Sequence, residues 1–578
     1  MTIHRFNRLI FSIIILGIIA IILENARYHA PVIDAASHIL DFLIVFLFIT
    51  GYLVRVISAQ DKKTFVKRNI LEIVFISFFL FLFFYGKFHF FFIGKHGWHN
   101  IPVKIIFAVS LFILFRIVVR MRKIGVFLQK ISLHPARTII VSFCSVIFIG
   151  TILLMLPLAT QDYTKLGFIN SLFTATSATC VTGLIVVDTA ARFSIYGKII
   201  IMLLIQAGGL GIMILAFFTA FLVGKKLSFE QRRTISYMMD ENDTRNLARG
   251  VKNIVLFTFL FELCGAILLF IAFKGSVGGI VKTAFFSLFH AISAFCNAGF
   301  ALFSDNLERF RSFGFLNVVI AGLIIVGGIS FAVIANSINY FRSGVRRKFF
   351  RKNIKLDKLK LNTKVVLVTT VGLIVIGTLL IYKFEHRSIL PEDIKTQYLM
   401  AFFQSVTLRT AGFNTINISG LHTATYALMI LFMFIGGASG STAGGIKVNT
   451  LGVIWAYVRS VFTGEDNVVL MKHSISKDLI NQAFLVILLA LVSIFTGALF
   501  LSLSENERFI KIIFEAVSAF GTVGLSTGIT PQLTGTGKII IILLMFIGRL
   551  GPLTVVAALA RKRKYYRVKY PEGKVSIG

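Results

Sequence analysis

The chain has 578 residues, 56% of them hydrophobic, with a mean hydropathy of +0.85. That composition excludes a soluble globular protein and marks an all-α polytopic membrane protein. Sixty Lys and Arg against 25 Asp and Glu give a net charge of +35. The basic residues sit in short loops between apolar runs, the pattern of membrane topology signals and not of a nucleic-acid surface.

In chain order, twelve spanning segments are predicted. The first four lie at about 8–24, 38–57, 69–85 and 101–120 and form an N-terminal domain, residues 1–130. Its first apolar run, Leu9–Leu23, lacks a small-residue cleavage site and reads as a retained helix. Residues 131–578 divide into four units at about 136–224, 251–342, 363–460 and 478–562. Each unit reads as a spanning helix, a short apolar segment ending in glycine, and a second spanning helix.

The repeat is visible in the short segments. Phe173, Phe289, Phe402 and Phe514 each stand ten residues before Gly183, Gly299, Gly412 and Gly524. Ser177, Ser293 and Ser518 stand six residues before their glycines, and Val406 takes that place in the third segment. Four such units fit around one pseudo-fourfold pore. Segments too short to span are tolerated at membrane depth only where protein or water surrounds their backbone. A half-helix followed by extended backbone turns carbonyls toward an axis, and glycine supplies the positive φ that the turn needs. Cys144, Cys180, Cys264 and Cys296 lie in apolar segments with no CxxC and no Cys/His cluster, which argues against a metal centre or a disulfide framework.

The segments TSATCVTGL, HAISAFCNAGF, VTLRTAGFNT and EAVSAFGTVGLSTG closely resemble the pore loops of the Trk/Ktr/HKT superfamily of potassium transporters, over about residues 135–565. The resemblance implies a selectivity filter of backbone carbonyls holding K⁺ at Val181, Thr182, Gly183 and Leu184; Asn297, Ala298, Gly299 and Phe300; Thr410, Ala411, Gly412 and Phe413; and Thr522, Val523, Gly524 and Leu525. Family members with serine at the first glycine are associated with sodium transport, so Gly183 favours potassium. No acidic ring lies in these stretches, which fits a carbonyl filter.

Two inner features follow. The segment 423–460 would be roughly 57 Å long as one helix, against a hydrocarbon core of about 30 Å. It is expected to break at Gly436, Gly437, Gly440, Gly444 and Gly445, where serines and a threonine also cluster. This stretch is not a phosphate loop, since Lys447 is followed by Val448 and no Walker pattern is present. The resemblance implies an intramembrane gate loop under the filter. Arg549 lies mid-helix in IIILLMFIGRLGPLTVVA and needs a polar cavity or partner, because a mid-membrane arginine costs at least about 2.5 kcal/mol. By the same resemblance it projects into the pore as part of the gate. Glu262 is a second intramembrane charge with no assigned role. His290, Gln404 and Glu515 are expected to tie the half-helices to neighbouring helices, and Arg409 to brace the filter from behind.

The N-terminal domain resembles a degenerate voltage sensor. Glu72 lies near the usual third-helix acid, Gly51 replaces another acid, and only Arg116 and Arg120 share helical spacing at the inner end. Shallow or absent voltage dependence is expected, with the domain serving as an accessory. The resemblance further implies a homodimer and a separate cytosolic nucleotide-binding regulatory ring, in the cytoplasmic (inner) membrane with both termini inside. No covalent cofactor is expected; K⁺ is the transported ion, with Na⁺ as a coupling or activating ion left open. Sodium translocation or Na⁺/K⁺ cotransport is the alternative within the superfamily. A polytopic membrane enzyme is the alternative outside it, although no catalytic cluster is legible.

Overall fold

A computed structural model describes residues 135–211, 247–350, 358–386 and 393–559. The expected N-terminal bundle, its candidate sensor charges and the basic C-terminal tail lie outside the described residues.

Each unit opens with a long apolar helix: α1 (Pro135–Met155), α5 (Leu247–Phe273), α9 (Leu361–Glu385) and α13 (Lys477–Ser504). Their sequences are apolar almost all round, as helices must be when lipid covers one face and protein the other. All four are long and apolar enough to cross a membrane. A short buried helix follows each one: α2 (Phe168–Thr179), α6 (Ile280–Phe295), α10 (Ile394–Thr407) and α14 (Phe509–Gly521). The one-turn helix α3 (Thr189–Arg192) follows α2, and Asp188 caps it by accepting from the backbone N–H of Ala190 and Ala191.

The second helices depart from expectation. They are predicted as continuous spans at 196–223, 314–341 and 536–560, with a break only in 423–460. Instead α4 (Ile195–Leu210) ends at Gly211, where φ is +80°. Helix α7 (Gly314–Gly328) meets α8 (Phe331–Phe350) at a bend of 104°, and α15 (Gly535–Leu550) meets α16 (Pro552–Leu559) at 92°. The expected break is present: α11 (Thr423–Phe434) stops, and α12 (Val448–Thr463) begins after thirteen intervening residues. Positive-φ glycine explains two of the stops, at Gly211 and Gly551, whereas α7 and α11 end in extended backbone at Ile329 and Ile435. Gly551 adopts a φ of +83° and Pro552 then starts a new helix, a residue pair that cannot continue the old one. Among the described residues, therefore, four helices can span a membrane, or six if each bent pair counts as one span. Of the eight core spans expected from hydropathy, four are continuous helices and three are interrupted, and the second span of the first unit is described only as far as Gly211. A two-residue hairpin, β1 (Val469–Leu470) with β2 (His473–Ser474), joins α12 to α13.

Packing follows the repeat. Each short helix packs on its own unit's long helix: α1 on α2, α5 on α6, α9 on α10, α13 on α14. Each second helix packs on the short helix of the next unit, α4 on α6, α7 on α10 and α11 on α14, and α15 packs back on α2. The contacts close on themselves. Phe173, Phe289 and Phe514, the phenylalanines that open three of the repeated segments, are wholly buried in that packing, whereas Phe402 is half-buried.

Candidate functional site

The four short helices end in four backbone segments of the same shape. Gly183, Gly299, Gly412 and Gly524 have φ of +93°, +68°, +76° and +89°. Two residues earlier, Val181, Asn297, Thr410 and Thr522 also have positive φ, between +50° and +68°. The glycine conformation was legible in the sequence. That of the four L-residues was not, because such a strained backbone persists only where its surroundings over-determine it.

The glycines form a ring. A Cβ built on Gly183 would stand 3.1 Å from the Cα of Gly299, and one on Gly299 2.8 Å from that of Gly412. On Gly412 it would stand 3.3 Å from Gly524, and on Gly524 3.0 Å from Gly183. In each case the added atom would also strike a carbonyl oxygen of the next segment: Ala298, Ala411, Val523 and Thr182 in turn. A side chain at any of the four would push against the neighbouring segment's backbone. Glycine is required by that approach as well as by φ.

Three segments are braced alike. Ser177 Oγ donates to Leu184 O at 2.7 Å, Ser293 Oγ to Phe300 O at 2.8 Å and Ser518 Oγ to Leu525 O at 2.6 Å. The backbone closes in the same register: Thr182 N donates to Ser177 O, Ala298 N to Ser293 O and Val523 N to Ser518 O, all at 2.7–2.8 Å. The third segment has neither device. Val406 has no hydroxyl, and Ala411 N donates to Thr407 O, one residue later. Behind this segment Arg409, buried, donates from Nη2 to Thr370 Oγ1 of α9 at 3.2 Å, the bracing direction expected. Asn297, with its amide nitrogen toward α7, donates to the carbonyls of Ile324 and Ala294 at 3.2 Å.

The expectation for the other polar residues needs correction in part. His290 and Glu515 direct their hydrogen bonds to the backbone just past their own glycines, while the His290 ring also packs on Phe273 of the neighbouring α5, as expected. His290 Nε2 accepts from Leu302 N at 3.3 Å; Glu515 accepts from Thr527 N at 3.0 Å and from Thr530 Oγ1 at 2.8 Å. Both side chains stand nine residues before their glycine and hold the N–H three residues after it. Among the described residues Gln404 has no hydrogen-bond partner for either amide atom, although it is fully buried. Alanine occupies its place in the other three helices, at Ala175, Ala291 and Ala516.

Two cavities are built from these segments and from the helix ends near Arg549. One, of about 240 Å³, is lined by all four glycines together with Asp188, Asp305, Glu308 and Asn414. Arg309 holds Asp305 below the usual carboxylate range by a hydrogen bond, whereas burial, then the nearby Asp305 charge, raises Glu308. The other cavity, of about 320 Å³, is lined by Gly208–Gly211, Ser330, Gly440, Lys447 and Arg549.

The 435–447 loop bounds that second cavity. Its ends are joined by Gly436 N donating to Ile446 O at 2.8 Å, and Lys447 Nζ donates inward to Ala443 O at 2.7 Å. Ala438 N and Thr442 Oγ1 donate to the carbonyls of Gly328 and Gly327, at 3.0 and 2.9 Å, so the loop docks on the broken end of α7. A Cβ on Gly444 would collide with the Thr522 hydroxyl, and one on Gly437 with Gly328 O at 2.7 Å. Thus the loop lies directly against the fourth segment. Arg549, at the end of α15, donates to the Thr442 carbonyl of this loop and to Gly208 O of α4. These carbonyls supply the polar partners that an intramembrane arginine needs.

A family model described as TrkH, cation transport protein, matches residues 108–566. The chain belongs to the TrkH family. This TrkH-family chain is 39% identical over 456 residues to the Ktr system potassium uptake protein B of Bacillus subtilis (strain 168), a match covering 78% of this chain and 98% of the relative. It is 37% identical to the protein of the same name from Vibrio alginolyticus, covering 76% and 94%. To the potassium/sodium uptake protein NtpJ of Enterococcus hirae it is 35% identical, covering 77% and 98%. Its fold is similar to the crystal structure of the potassium transporter TrkH from Vibrio parahaemolyticus, with a TM-score of 0.61 at 16% identity, covering 85% of this chain and 98% of that one. Membership of a multi-pass membrane transport family sets aside the membrane-enzyme alternative.

Proposed function

We propose that this chain is the ion-conducting subunit of a potassium uptake system, with one pseudo-fourfold pore built from its four units. The observation that carries the reading is the closed glycine ring, in which every glycine abuts a carbonyl of the next segment. Backbone oxygens gathered this way can replace the water shell of a monovalent cation. The filter is formed by residues 181–184, 297–300, 410–413 and 522–525, and K⁺ binds there. The acidic outer cavity gathers cations ahead of it.

Beneath the filter, the loop with Gly436, Gly437, Gly440, Gly444 and Gly445 is the gate, and Arg549 holds it shut. Its guanidinium is pinned to a loop carbonyl on one side and to α4 on the other, and its charge raises a barrier to any passing cation. Opening requires the loop to leave Gly327 and Gly328 and Arg549 to release Thr442. The glycines suit this motion because the loop is close-packed at Thr522 yet poor in side chains that would anchor it.

The relatives named for potassium uptake support potassium as the main ion, and Gly183 in place of serine agrees. NtpJ, named for potassium and sodium, favours a second reading in which sodium is also carried. The chain sits in the cytoplasmic membrane with both termini inside, as a homodimer regulated by a cytosolic nucleotide-binding ring. Residues 1–130 form an accessory membrane domain, and 131–578 the conducting core. Expression in a bacterium deficient in potassium uptake tests the function: growth at low potassium, with rubidium uptake into proteoliposomes exceeding sodium uptake, is expected. Sodium uptake equal to rubidium uptake would establish the second reading, and no uptake of either ion would remove both.

A further inference from the structure

Glu262 is an intramembrane carboxylate outside the candidate filter and gate. It lies on α5 and is 3% exposed. The ion pairs among the described residues do not include it. Such a group is costly at membrane depth unless its oxygens are satisfied and put to use. Here they are satisfied by two elements at once. Gln206 Nε2 of α4 donates to Glu262 Oε2 at 3.1 Å, and Cys296 Sγ, just past the end of α6, points at Glu262 Oε1 from 3.8 Å.

Both partners stand beside groups already described. Gln206 is two residues from Gly208, whose carbonyl accepts from Arg549 at 2.5 Å. Gly208 and Gly209 are wedged: a Cβ on Gly208 would strike Thr179 O of α2, and one on Gly209 would lie 2.9 Å from Cys296 Cβ. Cys296 also precedes Asn297, the first residue of the second filter segment. The last turn of α4 has no side chains at these two glycines with which to hold itself. Leu210, buried against Ile254 and Val255 of α5, seats the end of the turn, and Gln206 with the wall made by Cys296 fixes the face that carries Gly208.

We propose that Glu262 is a positioning residue for the gate: through Gln206 and Cys296 its carboxylate fixes the end of α4, and so the Gly208 carbonyl that anchors Arg549. This rests on the reading of Arg549 as gate. Removing the carboxylate frees Gln206, loosens the terminal turn and leaves Arg549 held by the loop carbonyl alone. A residue that acts through another shows it by non-additivity.

The test is rubidium uptake by the full chain in proteoliposomes, in wild-type and Arg549→Ala backgrounds, normalised to inserted protein. Glu262→Ala is expected to raise uptake about threefold in the wild-type background and by less than about 1.5-fold in the Arg549→Ala background. Gln206→Leu is expected to behave the same way. Glu262→Gln, whose amide oxygen still accepts from Gln206, is expected to raise uptake less than Glu262→Ala. If Glu262→Ala does not insert, Gln206→Leu in the two backgrounds carries the test. Equal factors in both backgrounds overturn the proposal and leave Glu262 a structural group. A rise with Glu262→Gln as large as with Glu262→Ala overturns it too, because charge and not the hydrogen bond would then be at work. The gate reading is tested apart from this, by Arg549→Ala alone: no change there removes it.

Discussion

The third glycine segment and the other three reach the same backbone shape by different means. In the first, second and fourth, a serine hydroxyl fastens the residue after the glycine to the end of the short helix. In these same units the short helix also packs on its own unit's second helix: α2 on α4, α6 on α7 and α14 on α15. The third unit has Val406 instead of the serine, a shifted backbone closure, a buried Arg409 reaching α9, and little contact between α10 and α11. It is also the unit whose second helix is interrupted by a thirteen-residue loop. The difference teaches that ring closure, and not local bracing, fixes the glycine geometry. Each segment abuts its neighbour's backbone, so one of the four can lack the serine brace and still keep the shared shape.

The largest effect is expected at the ring itself. Gly183→Ser and Gly412→Ser place a side chain at φ of +93° and +76° against a neighbouring carbonyl. Both should lower the rubidium-to-sodium uptake ratio at least about tenfold, corresponding to about 1.4 kcal/mol. If Gly412→Ser were harmless while Gly183→Ser was not, the third segment would stand outside the filter and the comparison would fail.

Next is Arg549→Ala, which removes a charge tied to the third unit's loop. Uptake should rise about fivefold, since about 1 kcal/mol of relieved repulsion has that effect on a rate. Reduced uptake by a correctly inserted variant would show that the arginine supports the loop and does not block the path.

Smaller effects separate the braces. Ser518→Ala deletes a hydrogen bond to Leu525 O and should cost about 1 kcal/mol, read as a lower thermal midpoint and a drop in the uptake ratio. Val406→Ala removes only apolar contacts and should lower the midpoint with the ratio unchanged. A ratio that falls equally in the two variants would erase the distinction between bracing types.

The smallest transport effect is expected for Gln404→Leu. The amide has no partner among the described residues, and an unpaired buried polar group costs about 1–3 kcal/mol, so the thermal midpoint should rise with uptake unaltered. A lower midpoint would reveal a polar contact made by this amide in the membrane.

Much of this site is legible in the chain. The Phe-to-Gly spacing picks out four segments, the polar glycine stretch marks the break after Phe434, and the charge of Arg549 within an apolar run demands a polar partner. The other helix breaks were missed because hydropathy stays high across them: Gly327–Ser330 and Gly548–Pro552 read as ordinary apolar helix, although Gly-Gly and Gly-Pro were signals in plain view. The hydrogen-bond partner of Glu515 is not legible in the sequence, because its own downstream backbone, folded back along its helix, reaches the carboxylate first; His290 meets both such backbone and Phe273 of α5.

The sequence by itself determined the membrane class, the fourfold repetition and the positions of the glycines, because hydropathy, spacing and positive φ are local properties. Only the tertiary structure decided that Val181, Asn297, Thr410 and Thr522 take the left-handed backbone, that Thr442 and Gly208 hold Arg549, and that Glu262 meets Gln206 and Cys296. Those depend on which carbonyls and side chains different units bring together, and residues as far apart as Gly208 and Arg549 acquire their roles only once the ring has closed.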